Sequence, residues 1–233
     1  MPLSRLIAFA FSLLHLAIAQ DLPSQHGTRQ IEGWTIRVDQ RLLSGEHKEK
    51  GAKALSVLQS KLVAITILVP QKALTDLKKV IIQMDLDHGK LRAMQYHPSS
   101  GWLKSHGYNE QLARCVHIPH VDGLLSPSSN RRMPLVILHE LAHAYHDQIL
   151  GFDEKRILAA SKQFRESGKY ESILTYGGQR GKHYALTDHK EFFAEMTESY
   201  FGSNDFFPFV AGELKQEEPA VYQLMENIWG KIP

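Results

Sequence analysis

His139-Glu140-Leu141-Ala142-His143, set inside the apolar run from Pro134 to Leu150, is the stretch on which the reading of this chain turns. At 3.6 residues per turn, side chains four apart lie one above the other, so in a helix the two imidazoles converge on a point that a cation can occupy. Zinc suits such a point: it accepts neutral nitrogen donors, and catalytic sites give it three side chains and leave the fourth position to water. Glu140 follows His139 directly, within reach of that water, as in the H-E-x-x-H arrangement where glutamate is the general base of a metal-dependent hydrolase. With 13 histidines in 233 residues, the pattern arises by chance in about one such chain in twenty. The flanks argue against chance. Leu135, Val136, Ile137, Leu138, Leu141, Ala142 and Ala144 make the helix apolar nearly all round, as in a segment crossing a core. Two histidines and a glutamate are costly there unless something satisfies them.

A third ligand has to come from elsewhere in the chain. The metzincin pattern needs a histidine ten positions after the first, and that position is Ile149, so this class is excluded. Glu191-Phe192-Phe193-Ala194-Glu195 offers two carboxylates one turn apart on a second expected helix, 48 positions after His143 (191 − 143). One can bind the ion while the other orients a histidine through its second nitrogen. Phe192 and Phe193 between them argue that this helix is partly buried.

His139-Glu140-x-x-His143, then Tyr184, then Glu191-Phe192-Phe193-Ala194-Glu195 resembles the gluzincin metallopeptidases of the type of the anthrax lethal factor catalytic domain and the Pro-Pro endopeptidases. The resemblance covers roughly residues 131–207. It implies a zincin-like α+β fold, with a small mixed sheet packed on the active-site helix and a mostly helical C-terminal half. It implies one zinc ion held by His139, His143 and Glu191, with Glu140 as base. Tyr184, seven residues before Glu191, would donate to the oxyanion, and Glu195 would orient a metal-bound histidine. His146 and His183 are weaker candidate helpers. The resemblance implies cleavage of an extended peptide or protein substrate but carries no substrate preference, which depends on loops that differ here. Zincins pair the substrate backbone with an edge strand near the metal helix. Arg114 to Ile118 is the expected strand nearest before that helix, and Pro119 at its end suits an edge.

Before the metal helix the chain reads in order as follows. Residues 1–19 carry Arg5, then an apolar stretch from Leu6, then Ala17-Ile18-Ala19. That is the plan of a secretory signal peptide, too short to span a bilayer, and it implies an extracellular protein. No other stretch is expected to cross a membrane. Residues 20–30 are polar with Pro and Gly and read as a flexible terminus, followed by one domain over 31–233, with a sheet-containing lobe at 31–130 and a helical lobe at 131–233. Alternation around Trp34 predicts a strand from Ile31 to Val38. Leu55, Leu58, Leu62 and Ile65 predict a helix over Gly51 to Val69, whose end Ile65-Thr66-Ile67 could turn to strand. A short helix at Gln71–Lys79 and strands at Val80–Leu86, Met94–His97 and Arg114–Ile118 follow, with a turn and an aromatic anchor at His97–Trp102.

After the metal helix, Asp153–Ser167 reads as a helix burying Ile157, Leu158, Phe164 and Ala160, stopped by Gly168. Thr187 or Asp188 caps the helix from Lys190 to Tyr200. A last helix, Gln216–Trp229, closes the core. The formal net charge is +2 with both signs interspersed, which gives no reason to invoke nucleic acid. Cys115 is the single cysteine, so no internal disulfide forms, and it reads as a small buried hydrophobe. No N-x-S/T sequon occurs. Two other functions fit the same residues: a secreted protein that keeps zinc as a structural element without cleaving peptides, and a hydrolase of non-peptide amides.

Overall fold

The sheet begins where the sequence suggested a loose tail. The computed structural model describes residues 25–232, so the expected leader lies outside the described residues. Within them, β1 (His26–Ile31) pairs antiparallel with β2 (Trp34–Asp39) over its full length, from His26↔Asp39 to Ile31↔Trp34. The expected flexible segment 20–30 is therefore strand from His26 onward, and the expected single strand Ile31–Val38 is a hairpin. Glu32 and Gly33 make its loop, with φ of 51° and 90°. Two consecutive positive φ values are what a two-residue hairpin loop matched to strand twist demands. Thr28, Arg29 and Gln30 stay exposed, so β1 is held by its ladder rather than by apolar burial, and periodicity does not reveal it.

β3 (Ile81–Met84) lies parallel to β2, β5 (Cys115–Ile118) lies parallel to β3, and β4 (Gln95–Tyr96) pairs antiparallel with β5, giving the order β1-β2-β3-β5-β4. The edge expected at Arg114–Ile118 is thus not there. All four residues of β5 are buried, the continuous run of an inner strand, and β4 takes the edge beside the metal helix.

The parallel β2–β3 connection runs through α1 (Lys48–Leu68) and α2 (Gln71–Leu77). Gly51, Ala54, Leu58, Leu62 and Ile65 form the buried stripe of α1, and because Ile65 is needed on that stripe, the β-branched end stays helical up to Val69-Pro70. By length and composition alone, Gly45–Leu68 is long and apolar enough to cross a membrane, contrary to the sequence reading. Its other face presents Lys53, Ser56, Gln59 and Ser60 to solvent, the two-sided pattern of a helix laid on a core.

Helices α3 (Val136–Tyr145), α4 (Lys155–Glu166), α5 (His189–Phe201), α6 (Ala211–Glu217) and α7 (Pro219–Trp229) dominate the remainder, making a mixed α+β fold with a small mixed sheet. The last helix expected from the sequence is two, broken at Glu218-Pro219, because Pro219 lacks an amide hydrogen and starts a helix rather than continuing one. In α4, Ile157, Ser161 and Phe164 are buried while Leu158 is exposed. Gly168 ends that helix's tail in a left-handed conformation, φ 67°. The expected turn at His97–Trp102 becomes a short helix at Ser100–Ser105 capped by Ser99, and Trp102 is half exposed, stacked on His106.

One continuous apolar core joins the sheet (Trp34, Ile36, Ile82, Val116) through α1 to α3 (Ile137, Leu138, Leu141) and α5 (Phe192, Phe193, Met196). Each such side chain contributes about 1.5–3 kcal/mol over leaving it exposed. The backbone comes closest at Gly51, where a Cβ would clash with the Leu42 carbonyl oxygen. Backbone cannot yield as a side-chain tip can. Gly51→Ala is expected to destabilise the protein by about 1–3 kcal/mol although alanine is the better helix former by about 1 kcal/mol. Urea unfolding checks this, and an unchanged or raised midpoint would refute the contact.

Candidate metal centre

Every residue of α3 from Ile137 to Tyr145 except His143 is buried, so the helix crosses the core as its apolar flanks imply. It packs against β4, β5 and α5. Beyond Tyr145 it loosens into a π-turn, His146–Leu150, and ends at Gly151 with φ 83°. Of the two candidate caps for α5, Asp188 does the work: its Oδ1 accepts from the amides of Lys190 at 2.8 Å and Glu191 at 3.0 Å. That cap satisfies two orphan donors and fixes the first turn, where Glu191 projects toward α3.

His139, His143 and Glu191 come together with one donor atom each, all within 4.8 Å of one another. Glu191 Oε2 lies 3.1 Å from His139 Nε2 and 3.4 Å from His143 Nε2. Two ligands bound at about 2.05 Å to a tetrahedral ion are separated by about 3.3 Å. The two distances from Glu191 thus match the spacing of ligands around one ion, and the two imidazoles lie within the 4.8 Å limit.

His139 Nδ1 lies 2.6 Å from Glu198 Oε1, and Glu195 Oε1 is farther, at 3.7 Å. The orienting carboxylate is therefore Glu198, not Glu195 as expected. Glu191, Glu195 and Glu198 sit at i, i+4 and i+7 of α5, a single helical stripe. The i, i+4, i+7 spacing is visible in the sequence, but which of the three carboxylates meets His139 Nδ1 depends on how α5 is rotated against α3. Glu195 plays another part. Burial, reinforced by the nearby Glu198, raises its pKa well above the ordinary carboxylate value and so favours its neutral form.

The electrostatics test whether these residues suit a cation. Both ring nitrogens of His139 face carboxylate oxygens. A neutral imidazole has one N–H, so without an ion His139 must carry an extra proton or point a lone pair at an anion. Burial pushes the His139 pKa down, but its hydrogen bonds to Glu191 and Glu198 outweigh that and hold it well above the ordinary value. Burial likewise raises Glu191, and His139 and His143 pull it down to about 2. Glu140 is raised by burial, with the two histidines opposing. A divalent cation between the imidazoles and Glu191 would remove the need for the imidazolium, leaving Nδ1–H to donate to Glu198 as metal-bound histidines generally do.

The centre lies in a cleft of about 780 Å³ that Glu140 and Tyr184 also line. Glu140 Oε2 accepts from the backbone amide of Tyr96 at 2.8 Å, which ties the carboxylate to the edge strand β4. The Tyr96 hydroxyl donates to Asp147 at 2.6 Å and accepts from Gln148 at 3.1 Å, clamping that strand to the end of the metal helix. Neither link was foreseen, because no local pattern couples a strand residue to a helix some 50 positions later. Tyr184 is half exposed, on a short turn (Tyr184–Leu186) directly before the Asp188 cap. His183 is a buried cap of that turn, its Nδ1 accepting from Ala185 N, and burial takes its pKa down to about 3. His146 is buried against Phe152 and Phe193 and is no part of the cleft wall. Cys115 is buried in β5 near the carbonyls of Gln111 and Ala113.

Comparisons of the chain with family models, curated proteins and solved structures found no match. The likeness to gluzincins therefore rests on the quoted motif residues alone.

Glu198→Ala is expected to weaken Co2+ or Zn2+ binding at this centre by about 10–100-fold, while Glu195→Gln, which replaces one neutral group by another of the same shape, changes it less than about threefold. Competition with a chromogenic chelator measures both. Equal losses in the two variants would contradict the assignment of Glu198.

Proposed function

We propose that this protein is a secreted, zinc-dependent metallopeptidase of zincin-like fold that hydrolyses peptide bonds. The observation that carries the proposal is the spacing of Glu191 Oε2 from His139 Nε2 and His143 Nε2, 3.1 and 3.4 Å, beside the pinned Glu140. Zinc held by His139, His143 and Glu191 would supply Lewis acidity to a water and a peptide carbonyl. Glu140 takes a proton from the attacking water and returns it to the leaving amine. Burial raises its pKa, with the histidines opposing, and a raised carboxylate is the better proton carrier near neutral pH. Tyr184, exposed on the cleft wall, donates a hydrogen bond to the oxyanion.

An extended substrate would lie along β4, which supports the zincin reading of the fold: an antiparallel edge strand borders the cleft next to the metal helix. Export follows from the leader-like residues 1–19. A purely structural zinc site needs no base and no oxyanion donor, so Glu140 and Tyr184 favour catalysis over storage of the ion.

Incubating purified protein with a diverse peptide library tests the proposal. Cleavage is expected for zinc-loaded wild type and lost on chelation. Glu140→Gln is expected to lower kcat/KM by at least about 10³-fold with metal content unchanged, and Tyr184→Phe to lower kcat about 10²-fold with little effect on KM. No cleavage by the loaded wild type would favour the structural-zinc alternative. Turnover of simple amides without peptide cleavage would favour the non-peptide alternative.

A further inference from the structure

Four histidines and one aspartate gather in the sheet, apart from the centre on α3 and α5. Asp85, just past the end of β3, is fully buried, as is His117 on β5, and His88 and His97 are 4% and 3% exposed. Asp85 Oδ2 is 2.8 Å from His117 Nε2, Asp85 Oδ1 is 2.7 Å from His26 Nε2, and His117 Nδ1 is 3.3 Å from His97 Nε2. Each of Asp85, His88 and His117 offers a donor atom within 4.8 Å of the others.

A chain of hydrogen bonds from Asp85 through His117 to His97 accounts for those three groups as a satisfied polar network. It does not account for His88. That side chain is more than nine-tenths buried, its Nδ1 has no hydrogen-bond partner, and it is set edge-on against His117 at 4.8 Å between ring centroids. A buried nitrogen left unpaired forfeits a hydrogen bond that water would have made, and a bound ion is one of the groups that can fill its place.

We propose that Asp85, His88 and His117 form a second metal site, for a borderline divalent ion such as zinc. Two imidazoles and a carboxylate are the donor set such an ion prefers. The backbone holds the donors in place beforehand: Asp85 N donates to Ile118 O and His88 N donates to Pro119 O, both at 2.9 Å. Without the ion, His117 carries its proton on Nε2, facing Asp85, and accepts from His97 at Nδ1. With the ion on Nε2, His117 takes the Nδ1–H form and donates to His97 Nε2, while His97 moves its own proton to Nδ1. Two tautomer shifts therefore admit the ion with no net proton release, and His97 becomes the acceptor that orients a metal-bound imidazole. His26 keeps hold of the second Asp85 oxygen.

The site closes a loop. Asp85 and His88 lie at the start and His97 at the end of the segment that carries Arg92 to Tyr96, one wall of the cleft. An ion here braces that wall and, through Tyr96, the residue that pins Glu140.

The test uses chelator-stripped protein, re-loaded with Zn2+ and with Co2+ by equilibrium dialysis. Wild type is expected to bind two ions per chain, the H139Q/H143Q variant one, His88→Ala one, and the triple variant none. In H139Q/H143Q, adding Zn2+ is expected to slow amide exchange in residues 89–96 at least tenfold. That arm leaves His88 intact, so it decides the matter even where His88→Ala folds poorly. H139Q/H143Q binding no ion, or folded His88→Ala still binding two, overturns the proposal. Neither result bears on the centre at His139, which is read from the ion that H139Q/H143Q loses.

Discussion

The bond between His139 Nδ1 and Glu198 Oε1, 2.6 Å long and buried, governs the arrangement of the helical half. It joins α3 to α5 in a medium where an uncompensated charge is prohibitive. Once Glu198 occupies Nδ1, only Nε2 of His139 is left to face Glu191, and the ring is held with its other nitrogen toward the cleft. Packing supports the same geometry: Phe193 and Trp229 stack behind α5, and Phe164 and Phe192 meet edge-on beside it. The polar contact selects the register between the helices and the apolar contacts supply the stabilisation.

Four glutamates, Glu140, Glu191, Glu195 and Glu198, approach His139. Their surroundings act on two of them in opposite directions: burial and Glu198 raise Glu195, whereas two imidazoles pull Glu191 down. Disfavouring the charge on one carboxylate lowers the repulsion within the cluster.

Much of this was legible in the sequence, and the failures have physical causes. The spacing of His139 and His143 and the apolar flanks of Val136–Tyr145 fixed the buried helix, because a 3.6-residue period and all-round apolarity are local properties. The proximity of Glu191 came from its motif and is matched by the observed distances. Glu198 was missed because its role depends on how α5 rotates against α3, which is a tertiary property. β1 was missed since its exposed Thr28, Arg29 and Gln30 carry no apolar alternation, and its stability comes from pairing with β2. The edge was misplaced for a related reason: sequence proximity to the metal helix favoured Arg114–Ile118, while the antiparallel return of only two residues, Gln95–Tyr96, takes the outer position. The Asp85, His88, His97 and His117 grouping spans three separated stretches, and no single window contains it.

The Tyr96 amide is committed to Glu140, and this leaves the rim of the sheet unequal in its hydrogen-bonding capacity. In an antiparallel ladder, alternate residues turn both their polar backbone groups outward; at Tyr96 the outward amide is taken, and no donor among the described residues meets the carbonyl. A chain laid along this rim would find an acceptor there without a matching donor, so it would be gripped through its own N–H at that point and need no carbonyl opposite. Alignment along the groove would then be dictated by which neighbouring residue can tolerate a lone, unreciprocated bond.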